Sequence, residues 1–130
     1  MMKSQLLSVS SKLQKNLARF IAPNAVILGN PTIGEGTWIG YFTVIESINA
    51  QVTIGKNCSI ASGVHIYTHS THKLTTEGKP KEVGAVTIGN NVAIGANSVI
   101  MHGCVIGDNT VIPALTLVKP WTEVRYVKAH

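Results

Sequence analysis

Aromatic side chains are scarce in this chain, at 5%, and charged ones make up only 13%. An ordinary globular sequence is about a quarter charged. The first shortage argues against a wide core of stacked rings and against a basic surface interleaved with aromatics, the arrangement that grips single-stranded nucleic acid. Cysteine is limited to Cys58 and Cys104, with no CxxC pair. A disulfide framework and a cysteine zinc site are therefore not expected, and a reduced, cytoplasmic setting is. In the first fifteen residues no apolar run exceeds two, so neither a secretory segment nor membrane insertion is expected.

What remains is mostly small and aliphatic: 45% hydrophobic residues with 12 glycines in 130. That length suits one domain with a continuous, narrow core. The net charge of +5 comes largely from lysines scattered between Lys3 and Lys128, with no long run. Scattered lysines suit phosphates on a small cofactor better than a nucleic-acid strand, and no nucleic-acid partner is expected.

The arrangement of the aliphatics decides the fold. Ile21, Ile27, Ile33, Ile39 and Ile45 stand six apart, then Ile54, Ile60 and Ile66, then Ile88, Ile94, Ile100, Ile106, Ile112 and Val118, fourteen positions in three blocks. Glycine often follows, as in Ile33-Gly34 and Ile94-Gly95, and a small residue comes four after the aliphatic, as at Thr37, Thr43, Cys58, Ser98 and Cys104. A helix needs spacings averaging 3.6 and a half-buried strand needs alternation; a strict period of six suits neither. It suits a triangular coil in which each hexad is a short inward strand plus a turn, the glycine relaxing the corner. Three hexads close one turn, giving between four and five turns that are stable only when stacked. On this reading Cys58 and Cys104 point inward as structural thiols.

Three units follow. Leu6, Val9, Leu13, Leu17 and Phe20 fall three or four apart and predict an amphipathic helix over 1–20. The all-β coil occupies 21–121, and 122–130 form a tail. Two irregularities break the repeat: a slip of three residues between Glu46 and Thr53, and a protruding loop over 67–86 of sequence YTHSTHKLTTEGKPKEVGAV. A loop of that length in a compact domain is usually functional. It carries His69 and His72, and histidine is the usual general base near neutral pH because its ordinary pKa is about 6.5. Tyr41, Glu46 and Tyr67 flank the irregularities and are candidates to line a pocket. No metal site is expected, since the loop adds only Glu77 and Glu82 as acids.

The repeat, together with IGKNCSIASGVHIYTHSTH (Ile54 to His72) and IGNNVAIGANSVIMHGCVIGDNTVI (Ile88 to Ile112), closely resembles the hexapeptide-repeat acyltransferases, particularly the maltose, galactoside and sugar-nucleotide acetyltransferases. The resemblance spans Ile21 to Trp121 and implies a single-domain left-handed parallel β-helix. It further implies acetyl-CoA as acyl donor, a sugar or sugar nucleotide as acceptor, and a homotrimer with active sites between subunits. In such enzymes the loop histidine is the general base, which carries over to His69 or His72, with His69 the better match. A backbone N–H that stabilises the oxyanion carries over to Ala96, and the pantetheine path to Ala114 and Lys119. Pro-Trp-Thr at 120–122 resembles members acting on sugar nucleotides, but the stretch that follows in the family is absent here.

Two other functions share this fold. Met101 to Asn109, MHGCVIGDN, looks like the γ-class carbonic anhydrases, whose zinc is held by three histidines. One of those would fall near Ala96, leaving His65, His69 and His102 to compensate. The other is a non-catalytic trimeric scaffold, because fold alone does not establish function.

Overall fold

The computed structural model describes residues 16–125. Its first turn is β1 (Phe20–Ile21), β2 (Val26–Gly29) and β3 (Thr32–Ile33), and its second is β4 (Trp38–Ile39), β5 (Val44–Ser47) and β6 (Val52–Ile54). The third begins with β7 (Ser59–Ile60) and β8 (His65–Ile66). An excursion then carries β9 (His69–Ser70), the helix α1 (His72–Glu77) and β10 (Glu82–Val83) before β11 (Val86–Ile88) closes that turn. The fourth turn is β12 (Ala93–Ile94), β13 (Val99–Ile100) and β14 (Val105–Ile106), and the fifth is β15 (Val111–Ile112), β16 (Leu117–Val118) and β17 (Glu123–Val124).

Strands from successive turns stack in parallel into three sheets of five, which are the faces of a prism. Face 1 holds β1, β4, β7, β12 and β15; face 2 holds β2, β5, β8, β13 and β16; face 3 holds β3, β6, β11, β14 and β17. The fold is the left-handed parallel β-helix expected from the repeat. Register puts isoleucine on isoleucine, as in Ile21↔Ile39, Ile39↔Ile60, Ile60↔Ile94 and Ile94↔Ile112. Apart from the partly buried Ile21 in the first turn, these side chains are almost wholly buried and fill the narrow interior with few polar atoms. The inward hydroxyls are satisfied by backbone: Thr37 Oγ1 donates to the Gly55 carbonyl at 2.7 Å and accepts from the Cys58 N–H at 3.1 Å. Ser98 donates to the Pro113 carbonyl at 2.9 Å. Such pairing is what lets a small polar residue occupy an apolar shaft.

Three expectations need correction. First, the glycine after each isoleucine does not relax the corner: positive φ falls three after the inward aliphatic, at Gly36, Asn57, Gly63, Asn91, Asn97, Gly103 and Asn109, and also at Phe42, Leu115 and Trp121. Asparagine and glycine tolerate that left-handed conformation best. Gly34 and Gly95 are instead required by close approach, since a Cβ there would overlap the backbone of the next turn at Gly55 and Ala114. Second, the 1–20 helix lies mostly outside the described residues, and its last position, Phe20, is strand, pairing with Trp38 and stacked on it at 5.4 Å. Third, the coil continues beyond 121 into the 122–130 tail, because β17 pairs with β14 and completes a fifth turn.

Candidate functional site

Both irregularities fall at the corner between faces 2 and 3, on consecutive turns: the slip joins β5 to β6, and the excursion joins β8 to β11. The excursion therefore leaves the prism directly over the slip. Within it β9 and β10 form an antiparallel hairpin with Ser70 opposite Glu82 and His69 opposite Val83. The helix α1, which buries none of its residues, caps the excursion and ends at Gly78 in the left-handed conformation.

Glu46 follows the inward Ile45 on β5, and the slip and the base of the excursion cover it, leaving it 4% exposed. Its carboxylate accepts the N–H groups of Ile48 and Asn49 at 3.0 Å each and of Thr68 at 3.0 Å. It also takes the Thr68 hydroxyl and Nδ1 of His69. Burial pushes this carboxyl's pKa up, but the Thr68 hydroxyl, the Asn49 N–H, the His69 ring and the Thr68 N–H outweigh it and hold the pKa at about 2. Thr68 also accepts the Ala50 N–H at 3.2 Å, so the slip and the base of the excursion are tied together through one hydroxyl.

An ionised carboxylate can only accept, so Nδ1 of His69 carries a proton and the lone pair of the neutral ring lies on Nε2. His69 is partly exposed, with 31% of its side chain open to solvent. The arrangement is a buried acid orienting a half-exposed imidazole, which suits a base that takes a proton from a bound group. His72 has no such support: it opens α1, is exposed, and its Nδ1 meets only the Ser70 hydroxyl at 2.7 Å.

The other expected residues are distributed differently. Ala96 and Ala114 follow β12 and β15 and stack at the corner between faces 1 and 2, where the Leu115 N–H donates to the Ala96 carbonyl at 2.9 Å. Among the described residues the Ala96 N–H donates to no protein group. Lys119 follows β16 at the corner between faces 2 and 3, two turns beyond His69. One chain thus separates Ala96 and Ala114 from His69 by a whole face. Tyr41 is likewise remote from Glu46, packing instead near Phe20 at 6.0 Å. A cavity of about 400 Å³ lined by Ile112, Thr116, Val118 and Lys119 among others lies at the fifth turn, and His69 is not among its lining residues.

The remaining imidazoles each have a partner of their own. His65, on β8 rather than at a corner, meets the Tyr67 hydroxyl through Nδ1 at 2.8 Å. His102 is fully buried, with Nε2 at 3.0 Å from Glu82. Among the described residues no three His, Cys, Asp or Glu side chains gather as a metal site. Cys58 and Cys104 are buried, their thiols donating to the carbonyls of Gly89 at 3.1 Å and Lys119 at 3.0 Å. Burial pushes both thiols above the ordinary range, which fits structural rather than nucleophilic sulfur. Among the described residues no helix is long and apolar enough to cross a membrane.

Sequence reasoning kept both His69 and His72, leaning towards His69, and gave Glu46 only a lining role. The available signal was a lone acid directly after the apolar Val44-Ile45, at the point where the repeat slips.

Comparison with known proteins agrees with this architecture. Residues 85–120 match the family described as bacterial transferase hexapeptide (six repeats). The carnitine operon protein CaiE of Escherichia coli K12 is 29% identical over 105 residues, covering 77% of this chain and 54% of CaiE. The mitochondrial γ carbonic anhydrase 1 of Arabidopsis thaliana is 33% identical over 93 residues, covering 72% of this chain and 31% of that protein. The chain therefore spans about half of the first and a third of the second. Among solved structures, the hexapeptide-repeat acetyltransferase VCA0836 of Vibrio cholerae superposes with a TM-score of 0.73 at 24% identity, covering 94% of this chain and 71% of that one. AntD, an N-acyltransferase of Bacillus cereus solved with dTDP and 3-hydroxybutyryl-CoA, gives 0.68 at 19% identity, covering 94% and 80%.

Proposed function

We propose that this hexapeptide-repeat chain is an acyl-CoA-dependent acyltransferase that moves an acetyl group from acetyl-CoA to a hydroxyl or amine of a small acceptor, a sugar or sugar nucleotide. The observation that carries the reading is the His69 imidazole held by the buried Glu46 at the one corner where the repeat is broken twice. Nε2 takes the proton from the acceptor as its oxygen or nitrogen attacks the thioester carbonyl. The C–S bond then breaks, and coenzyme A leaves as the thiolate and takes up a proton. Glu46 fixes the tautomer and stabilises the imidazolium formed on the way, with His72 outside the reaction.

The oxyanion needs a donor, and the free N–H of Ala96 fits that role. Because Ala96 and Ala114 sit one face away from His69, the complete site takes His69 from one copy and the Ala96 edge from its neighbour, as in a homotrimer. Two similar structures support the donor class: VCA0836 was also solved with acetyl coenzyme A, and AntD holds an acyl-CoA beside dTDP. Lys119, as a mobile point charge, suits a cofactor phosphate.

A zinc reading remains as the alternative, favoured by the carbonic anhydrase relative and by the buried Nδ1 of His102, which has no partner. Thermal denaturation separates the two, since a ligand that binds only the native state raises its midpoint by mass action. A rise with millimolar acetyl-CoA, absent with zinc, is expected. A rise with zinc alone would replace the transferase by the metal reading, and silence from both would favour a scaffold.

A further inference from the structure

The excursion that carries His69 is gripped twice. Glu46, from the turn below, holds Thr68 and His69. The second grip runs the other way, from the excursion into the turn beyond, and the function proposed above makes no use of it. Glu82, on β10 directly opposite Ser70, reaches His102 with Oε2 at 3.0 Å and Lys73 at the start of α1 with Oε1 at 2.8 Å. One carboxylate thus links the hairpin, the helix and the prism. The Lys73 ammonium, then burial acting in the opposite sense, then His102 set the Glu82 pKa, and the net shift is downward. Glu82 is therefore ionised at neutral pH and able to accept from both partners.

The base of the excursion is zipped into the same place. The Gly84 N–H donates to the Thr68 carbonyl at 3.0 Å, and the Gly103 N–H donates to the Gly84 carbonyl at 3.3 Å. Trp121 lies over both glycines: a Cβ on Gly84 would meet its Cη2 at 2.7 Å, and one on Gly103 would collide with the indole. The indole also meets the His102 ring edge-on, with centroids 5.7 Å apart. Trp121 does this from a left-handed backbone, at a φ of 61°, a conformation that Phe42 and Leu115 share at the equivalent place in other turns, and it remains 63% exposed. What sets Trp121 apart from Phe42 and Leu115 is its contacts, with the indole packed over Gly84 and Gly103 and against His102. His102 itself is 0% exposed, and its Nδ1 lacks a partner that a buried polar atom normally has.

We propose that Glu82, His102 and Trp121 are positioning residues that dock the excursion onto the fourth and fifth turns and so set where the His69 imidazole stands. The inference rests on His69 as the base, but its geometric content does not depend on turnover. It accounts for three features together: the buried histidine, the indole packed on its ring and the glycines under that indole. The Pro-Trp-Thr motif at 120–122 then serves the catalytic loop.

The test uses the full chain with Glu82→Ala, His102→Gln, Trp121→Ala and Trp121→Phe. Two readouts are taken on each: kcat and KM for acetyl-CoA, and the NMR signal of the His69 Nδ1 proton with ¹⁵N-labelled histidine. Thermal midpoints check that each variant is folded. Displacing a reacting group by about 1 Å costs about a hundredfold. Glu82→Ala and Trp121→Ala should lower kcat by about ten- to a hundredfold, change KM for acetyl-CoA less than about twofold, and shift or broaden the His69 signal. Trp121→Phe and His102→Gln, which keep a flat ring and a donor to Glu82, should restore most of both. Folded variants with an unmoved His69 signal would overturn the proposal, whatever happened to kcat. If the wild type transfers no acyl group, the function reading fails, and the His69 signal alone decides the positioning role.

Discussion

Two corners of the same prism are built by opposite rules. Between faces 3 and 1 every turn is made alike, with Gly36, Asn57, Asn91 and Asn109 in the left-handed conformation. Each turn there hydrogen-bonds to the next: the Lys56 N–H donates to Asn90 Oδ1 at 2.8 Å, and the Asn90 N–H donates to Asp108 Oδ1 at 2.7 Å. Between faces 2 and 3 the period slips, a hairpin and helix leave the coil, and a carboxylate and an imidazole are buried. The regular corner obeys local preference everywhere and makes no chemical arrangement. The irregular corner breaks it repeatedly and assembles the only acid-oriented, solvent-reached histidine among the described residues. In a repeat protein, local rules failing together at one place mark where function is carried.

Mutations at the two corners should therefore separate activity from stability. The largest effect on activity is expected from His69→Ala, which removes the proposed base and should lower kcat by about 10² to 10⁴, with a smaller loss of stability than Glu46→Gln because the other donors to Glu46 remain. Acetyl-CoA turnover followed by thiol release measures the first, and calorimetry the second.

Glu46→Gln comes next and should damage both properties. The amide turns one donor towards the N–H groups and His69 that the carboxylate accepts, so a loss of about 2–4 kcal/mol in urea unfolding is expected, with activity falling about tenfold or more. The same residue sets an acid limit. Its folded pKa of about 2 lies below the ordinary 4.5, so its contribution is fully present above about pH 4.5. That contribution is lost as pH falls from 4.5 through 2, and amounts to ~3 kcal/mol. Stability measured from pH 6 to 2 should fall less steeply in Glu46→Gln than in the wild type.

At the regular corner, Asn91→Ala should cost about 1 kcal/mol, because alanine resists the left-handed backbone. Asn91→Gly should be close to neutral, and both should keep wild-type turnover. A loss of activity at Asn91 without unfolding would erase the distinction between the corners. Smallest of all is His72→Ala, expected within about ±0.5 kcal/mol and twofold in kcat, as for an exposed side chain away from special features.

The sequence made the coil legible because every inward aliphatic repeats in phase, and it marked the excursion by breaking that phase after Ile66. Corner chemistry was legible too, but at another position: the asparagines three after Ile54, Ile88, Ile94 and Ile106 announce the left-handed residues, whereas the glycines next to isoleucine answer to backbone packing between turns. Phe20 fitted a helical stripe and also immediately precedes Ile21, the first hexad position; pairing with Trp38 decided for strand. The partnership of Glu46 with His69 could not be counted from spacing. It depends on how far the slip shifts one turn relative to the next, and on an excursion whose hairpin register no repeat specifies.

The central claim, that the Glu46–His69 pair performs acyl transfer, is tested most directly by coenzyme A release from acetyl-CoA in the presence of a panel of sugars and sugar nucleotides, with wild type, His69→Ala and His72→Ala side by side. The account predicts acceptor-dependent release by the wild type and by His72→Ala, and its loss in folded His69→Ala. Release that survives in His69→Ala and disappears in His72→Ala would contradict it.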